Sequence, residues 1–125
     1  MKLRYLFLIN TVVALLFALG FLLMPAVLLD LFGFPSDAGA KLLGQFIGVE
    51  LLVGGFSTWF ARDTHDAMTR QTLTLSNLIA GVIGFFVSLG GMLSGVMNAL
   101  GWVIVAVYLL LSLGFGYFQF IGPAE

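Results

Sequence analysis

Residues 3–24 read LRYLFLINTVVALLFALGFLLM, and this stretch decides the class of the fold. After Arg4 it holds no charged residue, and a helix of about 20 residues crosses about 30 Å of hydrocarbon. The basic start and the sequence Ala18-Leu19-Gly20 also resemble a secretory signal peptide with its cleavage site. Because the apolar run continues to Met24, we interpret it as a retained first membrane span.

The composition of the whole chain indicates a bilayer environment. Of the 125 residues, 61% are hydrophobic and 9% are charged, against about 45–50% apolar and about 25% charged residues in globular domains. A soluble domain of this length has too little interior to bury so much apolar surface. The net charge of −1 predicts no nucleic-acid partner, and the absence of Cys excludes disulfides and thiolate chemistry.

Three further apolar runs follow the first, and together they predict an all-α integral membrane four-helix bundle. Only helices among the structures open to this sequence can satisfy the backbone within lipid. Ser36 or Asp37 is the predicted cap of the second span, Asp63 or Thr64 of the third, and Asn98 of the fourth. The prediction is a single domain over residues 1–125, with spans at about 3–24, 39–61, 71–92 and 99–121 and an interfacial segment at about 26–34.

The basic residues predict the orientation of the four spans. Lysine and arginine concentrate in cytoplasmic loops, and Lys41 alone falls on the side opposite the other basic residues of the chain: Lys2, Arg4, Arg62 and Arg70. We therefore expect both termini in the cytoplasm. The multi-pass chain would then lie in a cell inner (plasma) membrane and contact membrane lipid.

Glu50 is the most informative residue of the second span, since it lies near the bilayer midplane in an otherwise apolar run. An ionised carboxylate at that depth costs at least about 2.5 kcal/mol, so intramembrane acids mark candidate functional sites. Tyr108 lies at a similar depth in the fourth span, and a buried phenol also needs a hydrogen-bond partner. We predict a contact between Glu50 and Tyr108, direct or through water. The alternative is a protonated acid that holds two helices together.

Other polar and small residues recur at helical spacing in the spans. Asn10 and Asn77 lie at matching depths and could pair, and with Ser57 they outline a polar track toward Glu50. Small residues let membrane helices approach closely, so they favour packing over a pathway. The predicted packing residues are Gly44, Gly48, Gly81, Gly84, Ser88, Ser112 and Gly116.

The residues present argue against enzymatic chemistry. His65 is the single histidine; it lies in a charged loop, without the additional ligands of a metal site or the serine of a catalytic triad. No glycine-rich segment precedes a Lys-Ser or Lys-Thr pair. We therefore predict no enzyme activity, no catalytic residue, no metal and no cofactor.

Three stretches carry a resemblance to a known group of proteins: LRYLFLINTVVALLFALGFLLMP, GQFIGVELLVGGFSTWFARD and NALGWVIVAVYLLLSLGFGYF. In layout the chain resembles the short four-span bacterial membrane proteins grouped as DoxX-like and neighbouring uncharacterised families. The resemblance implies a four-helix bundle in a bacterial inner membrane. The Gly-x-Glu at residues 48–50 is similar to what such relatives carry.

Three functions fit these features. The first is a structural or interaction subunit, as a homo-oligomer or as an accessory component of a membrane complex, because the second span presents small residues on two faces. The second is a small proton- or cation-coupled transporter or channel that uses Glu50. The third is a binder of lipid, quinone or pigment. These three functions differ in what they require around the Glu50 side chain, so its surroundings distinguish them.

Overall fold

A computed structural model describes residues 2–122, and these residues form five helices and no strand. Four of the helices are long and apolar enough to cross a membrane. The predicted all-α class is confirmed, and so are four helices of the length and apolar composition that a membrane span needs. The helices are α1 (Leu3–Leu23), α2 (Pro25–Leu31), α3 (Ala38–Ala61), α4 (Ala67–Leu93) and α5 (Gly101–Phe120).

The segment predicted at about residues 26–34 forms the short helix α2, and its interfacial position stays a prediction. Pro25 occupies its first turn, where a missing N–H costs nothing and the fixed φ suits a helix. The residue before a proline disfavours the helical conformation, which separates α1 from α2 at Met24. Gly33, with a φ of +85°, takes a left-handed conformation that ends the segment before the predicted residue 34.

Side-chain caps set the starts of α3 and α4. Asp37 accepts a hydrogen bond from the Ala40 N–H at 2.8 Å, as predicted for the second span. The third span begins at Ala67, earlier than the predicted residue 71, because Asp66 caps it and accepts from the Thr69 N–H at 2.8 Å. The prediction of Asp63 or Thr64 as this cap is wrong.

The fourth span has no side-chain cap. Asn98, its predicted cap, instead accepts a hydrogen bond from the Leu100 N–H at 3.1 Å, one residue before α5 begins at Gly101. The same side chain donates to the Leu31 carbonyl at 2.8 Å, and the Asn98 N–H donates to the Phe32 carbonyl at 2.9 Å. Asn98 therefore joins the α4–α5 turn to the end of α2.

The helices pair as two hairpins, α1 with α3 and α4 with α5. Contacts between the hairpins are much less extensive and join α1 to α5 and α3 to α4. Within the described residues no Cα atom of α3 lies within 8 Å of one in α5. The termini end of the bundle is where α1 and α4 begin and α3 and α5 end. The opposite end, with α2 and the α4–α5 turn, is the α2 end.

The apolar core that unites the hairpins lies at the termini end. Phe7 and Phe115 meet there with ring centroids 6.3 Å apart, and Phe115 is completely buried. An ion pair between Arg4 and Asp63 adds a link from the start of α1 to the α3–α4 turn. The cluster consists of Leu3, Leu6, Phe7, Ala61, Phe115 and Phe118.

Candidate functional site around Glu50

Glu50 lies midway along α3 and is exposed in the isolated chain. Its carboxyl group makes no hydrogen bond or ion pair with any described residue. Gly54 and Ser57 follow it at helical spacing, and these three residues define the Glu50 face of α3. A Cβ added at Gly54 would meet nothing within 4 Å, so the space beside Glu50 is open.

A second face of α3 is closed against α1. Its glycine face consists of Gly44, Gly48, Gly55 and Thr58, all of which are buried. A Cβ at Gly48 would lie 3.0 Å from the Ala18 carbonyl oxygen, and one at Gly44 would lie 3.2 Å from the Phe21 ring. The small residues predicted for packing at Gly44 and Gly48 thus lie in the seam within one hairpin.

The predicted contact between Glu50 and Tyr108 is not formed as a direct hydrogen bond, and its water-mediated form stays a prediction. The two residues lie on α3 and α5, and within the described residues no Cα atoms of these helices lie within 8 Å of each other. The Tyr108 ring instead lies against Gly84 of α4, and its hydroxyl makes no hydrogen bond to a described residue. Matching depth along the membrane normal did not imply adjacency, because the two helices occupy opposite corners of the bundle.

Asn10 and Asn77 do not pair either. Asn10 donates from Nδ2 to the Thr58 hydroxyl of α3 at 3.3 Å, whereas Asn77 donates to the Leu73 carbonyl of its own helix at 2.8 Å. Neither amide points to a track that ends at Glu50. Asn10 belongs to the α1–α3 seam, and Asn77 satisfies its amide locally.

A buried polar cluster of Asn10, Thr11 and Thr58 was missed by sequence reasoning. Thr11 and Thr58 have hydroxyl oxygens 2.8 Å apart, and Thr11 also donates to the Gly55 carbonyl at 3.1 Å or the Phe7 carbonyl at 2.9 Å. Thr58 is fully buried. Its helical spacing from Gly55 could have revealed Thr58, because the residue continues the glycine face of α3.

We expect Thr58→Val to destabilise the fold by about 1 kcal/mol, because interhelical hydrogen bonds in membranes contribute about that much. The substitution keeps the shape and leaves the Asn10 amide without its acceptor. The free energy of unfolding in mixed detergent micelles would measure the effect. Thr72→Val is the matched control on an exposed hydroxyl; equal losses in both variants would contradict a role for the cluster.

The small residues predicted on α4 and α5 lie where these two helices meet. Gly81 faces the Ser112 hydroxyl, and Gly116 lies near Leu78. Ser88 and Ser112 are buried and donate back to carbonyls of their own helices, to Gly84 at 2.8 Å and to Tyr108 at 2.6 Å respectively. These residues allow the close approach of α4 and α5.

An open cavity of about 550 Å³ with a mixed apolar and polar lining lies between α3 and α4 at the termini end. Ser57 lines it, together with the polar side chains of Thr64, Asp66, Thr69 and Thr72. Asp66 accepts hydrogen bonds from the Thr69 hydroxyl and N–H, which lower the pKa of its carboxyl group. Ser57 is the residue that this α3–α4 cavity shares with the Glu50 face, and Gly54 and Glu50 do not line it.

The charged residues of the α3–α4 turn are largely paired. The Arg4 guanidinium donates to Asp63 and is the main cause of the lowered pKa of that carboxyl group, with further attraction from Arg62 and His65. Arg62 also lies over the Trp59 ring, 3.7 Å from its centroid. No group of His, Asp and Glu residues that could hold a metal ion occurs among residues 2–122.

Comparison with family models, with curated proteins and with solved structures finds no match to this chain.

Proposed function

We propose that this chain is a non-enzymatic subunit of a larger membrane assembly, either a homo-oligomer or an accessory component of a complex. Its place would be a bacterial inner membrane, with both termini in the cytoplasm as the basic residues indicate. The single observation that carries the proposal is the exposure of Glu50 at the middle of α3 without a partner among the described residues.

Exposure of Glu50 at the middle of a membrane span carries a large free-energy cost. A carboxylate at the bilayer centre is unfavourable by at least about 2.5 kcal/mol, and a protonated acid there still needs a hydrogen-bond partner. Such residues normally face other helices or water. Because the isolated chain leaves Glu50 uncovered, a helix of another chain would complete its surroundings.

The shape of the Glu50 face also supports a neighbouring helix. Gly54 lies one turn from Glu50 and has open space in front of it. A helix can approach closely over a glycine, as in the small-residue contacts of membrane helices. The glycine face of α3 is already used within the chain, whereas the Glu50 face is uncovered and can receive a neighbour.

A homo-oligomer would also use the unpaired hydroxyl of Tyr108. Glu50 and Tyr108 lie on different helices and at similar depths, and neither has a hydrogen-bond partner on its side chain among the described residues. A contact of Glu50 with Tyr108 of a neighbouring copy would satisfy both groups. Such a contact is either reciprocated across the two-fold axis of a dimer or repeated head to tail around a closed ring.

Photocrosslinking from single cysteines tests the proposal, and the chain contains no native Cys that would interfere. A photoreactive probe at Gly54→Cys should capture a second copy or another membrane protein in intact membranes. The same probe at Leu110→Cys, on a strongly exposed position of α5, should label mainly lipid. Glu50→Leu in the Gly54→Cys background should reduce the protein adduct severalfold. Lipid labelling alone at both sites would refute the proposal.

A second candidate function is proton- or cation-coupled transport through Glu50, and the α3–α4 cavity favours it. The cavity reaches Ser57 from the termini end, and open space follows at Gly54. Water in this space would connect Glu50 to one side of the membrane. In proteoliposomes this candidate requires a proton or cation flux that Glu50→Gln abolishes. A flux no greater than that of protein-free vesicles would reject transport and leave the subunit proposal standing.

A further inference from the structure

Arg70, in the first part of α4, has an unusual environment for a charged side chain. It is only 8% exposed, whereas arginines near membrane surfaces ordinarily extend their charged heads into water. Its Nη1 donates to the Thr64 carbonyl at 3.0 Å. Its Nε and Nη2 atoms are buried and have no hydrogen-bond partner among the described residues.

No acidic residue of the described chain neutralises this guanidinium. The ion pairs among residues 2–122 link Asp63 to Arg4 and Arg62, and the Asp66 carboxylate is directed at Thr69. A buried charged donor left without partners pays the full desolvation cost of its charge. A group from outside the described chain must therefore compensate Arg70.

The side chain lines a cavity of about 270 Å³ at the termini end, separate from the α3–α4 cavity. The polar residues around it are His65, Gln71, Thr74 and Gln119, and no carboxylate lines it. The amides and the guanidinium can all donate hydrogen bonds. The volume accommodates several water molecules of about 30 Å³ each, and hence a group of similar total size.

We propose that this Arg70 cavity binds the phosphate group of an anionic ligand, either of a lipid headgroup or of free phosphate. A guanidinium presents parallel N–H donors that match two oxygens of a phosphate. Nε and Nη2 of Arg70 are the donors without a partner, and binding would turn them from their buried position toward the cavity. The cavity lies at the same end of the bundle as Trp59 and Tyr117, residue types that mark the headgroup level of a membrane.

Two binding measurements on the full-length protein distinguish a lipid headgroup from free phosphate as the source of the bound phosphate group. The first is native mass spectrometry of protein released from mixed micelles of phosphatidylglycerol and phosphatidylcholine, which counts retained lipids. The second is equilibrium dialysis of radiolabelled inorganic phosphate against protein in phosphatidylcholine nanodiscs. Preferential retention of phosphatidylglycerol identifies a lipid headgroup, and binding of labelled phosphate identifies the free ion. Retention of neither would overturn the proposal.

Substitutions in and near the cavity test whether the phosphate group binds at Arg70. Arg70→Gln should weaken binding at least about tenfold, because hydrogen bonds to a charged group are lost. Arg62→Gln, at the same end but stacked on Trp59, is the matched control and should bind like the wild type. Ala67→Trp would fill the cavity without removing its charge, and it serves if Arg70→Gln does not fold. Unchanged binding in a folded Arg70→Gln or Ala67→Trp protein would also overturn the proposal.

Discussion

Gly48→Leu is expected to destabilise the chain by about 1–3 kcal/mol or more, the usual cost of overpacking a close-packed site. An added Cβ would lie 2.9 Å from the Leu22 Cγ and 3.0 Å from the Ala18 carbonyl oxygen. The second of these atoms belongs to the backbone of α1 and cannot rotate away. The α1–α3 seam must therefore open along its length, since the glycine face continues to Gly55 and Thr58.

Unfolding in micelles of increasing sodium dodecyl sulfate content, followed by circular dichroism, would measure this loss. Gly90→Leu is the matched control, because a Cβ at Gly90 would meet nothing within 4 Å and leucine has the better helix propensity. We expect this control to unfold at or above the wild-type midpoint. Similar midpoints for both variants would show that the α1–α3 seam does not pack as described.

Phe115→Ala is expected to have the other large effect, about 3–5 kcal/mol of lost stability, as for aromatic-to-alanine changes at buried sites. Phe115 is completely buried and contacts Phe7 across the two hairpins. The cluster around it is the apolar core that joins the hairpins among the described residues. Removal of the ring would leave a cavity in the main connection between them.

The consequence should extend beyond stability to the relation of the hairpins. Distances between spin labels on α3 and α4 at the termini end should broaden in Phe115→Ala, while distances between α1 and α3 remain unchanged. Leu113→Ala is the control on the same helix; its side chain is 61% exposed, so a change within about 0.5 kcal/mol is expected. An unbroadened α3–α4 distance in a destabilised Phe115→Ala protein would contradict the role of this cluster.

At the candidate site, the depth of a residue along its helix could be predicted from the sequence. The direction in which its side chain faces could not. Glu50 was correctly placed at the middle of its span, because its depth follows from counting residues along a helix of constant rise. Its proposed partner Tyr108 lies at a similar depth but on a helix that α3 does not contact. Counting residues provides one coordinate, whereas a contact also requires the two helices to be neighbours with matching faces.

For a related reason, the burial of Arg70 and the hydrogen-bond partner of Asn10 could not be predicted from the sequence. Arg70 was interpreted only as one of the basic residues that set orientation, yet the packing of α4 against Phe118 of α5 encloses it. Asn10 bonds to Thr58 rather than to Asn77. Both outcomes depend on which helices form hairpins, and nothing in the local sequence around either residue specifies that.

The sequence alone determined the all-α class, the four long apolar helices, the short helix after Pro25 and the position of Glu50 at the middle of its helix. These features follow from local chemistry, since each apolar run of sufficient length must satisfy its own backbone hydrogen bonds. Only the tertiary structure decided that the glycine face of α3 is closed by α1, that the Glu50 face is open, and that Arg70 is buried. Lipid solvates apolar side chains as well as a protein interior does, so the apolar pattern of a span does not reveal which face another helix covers.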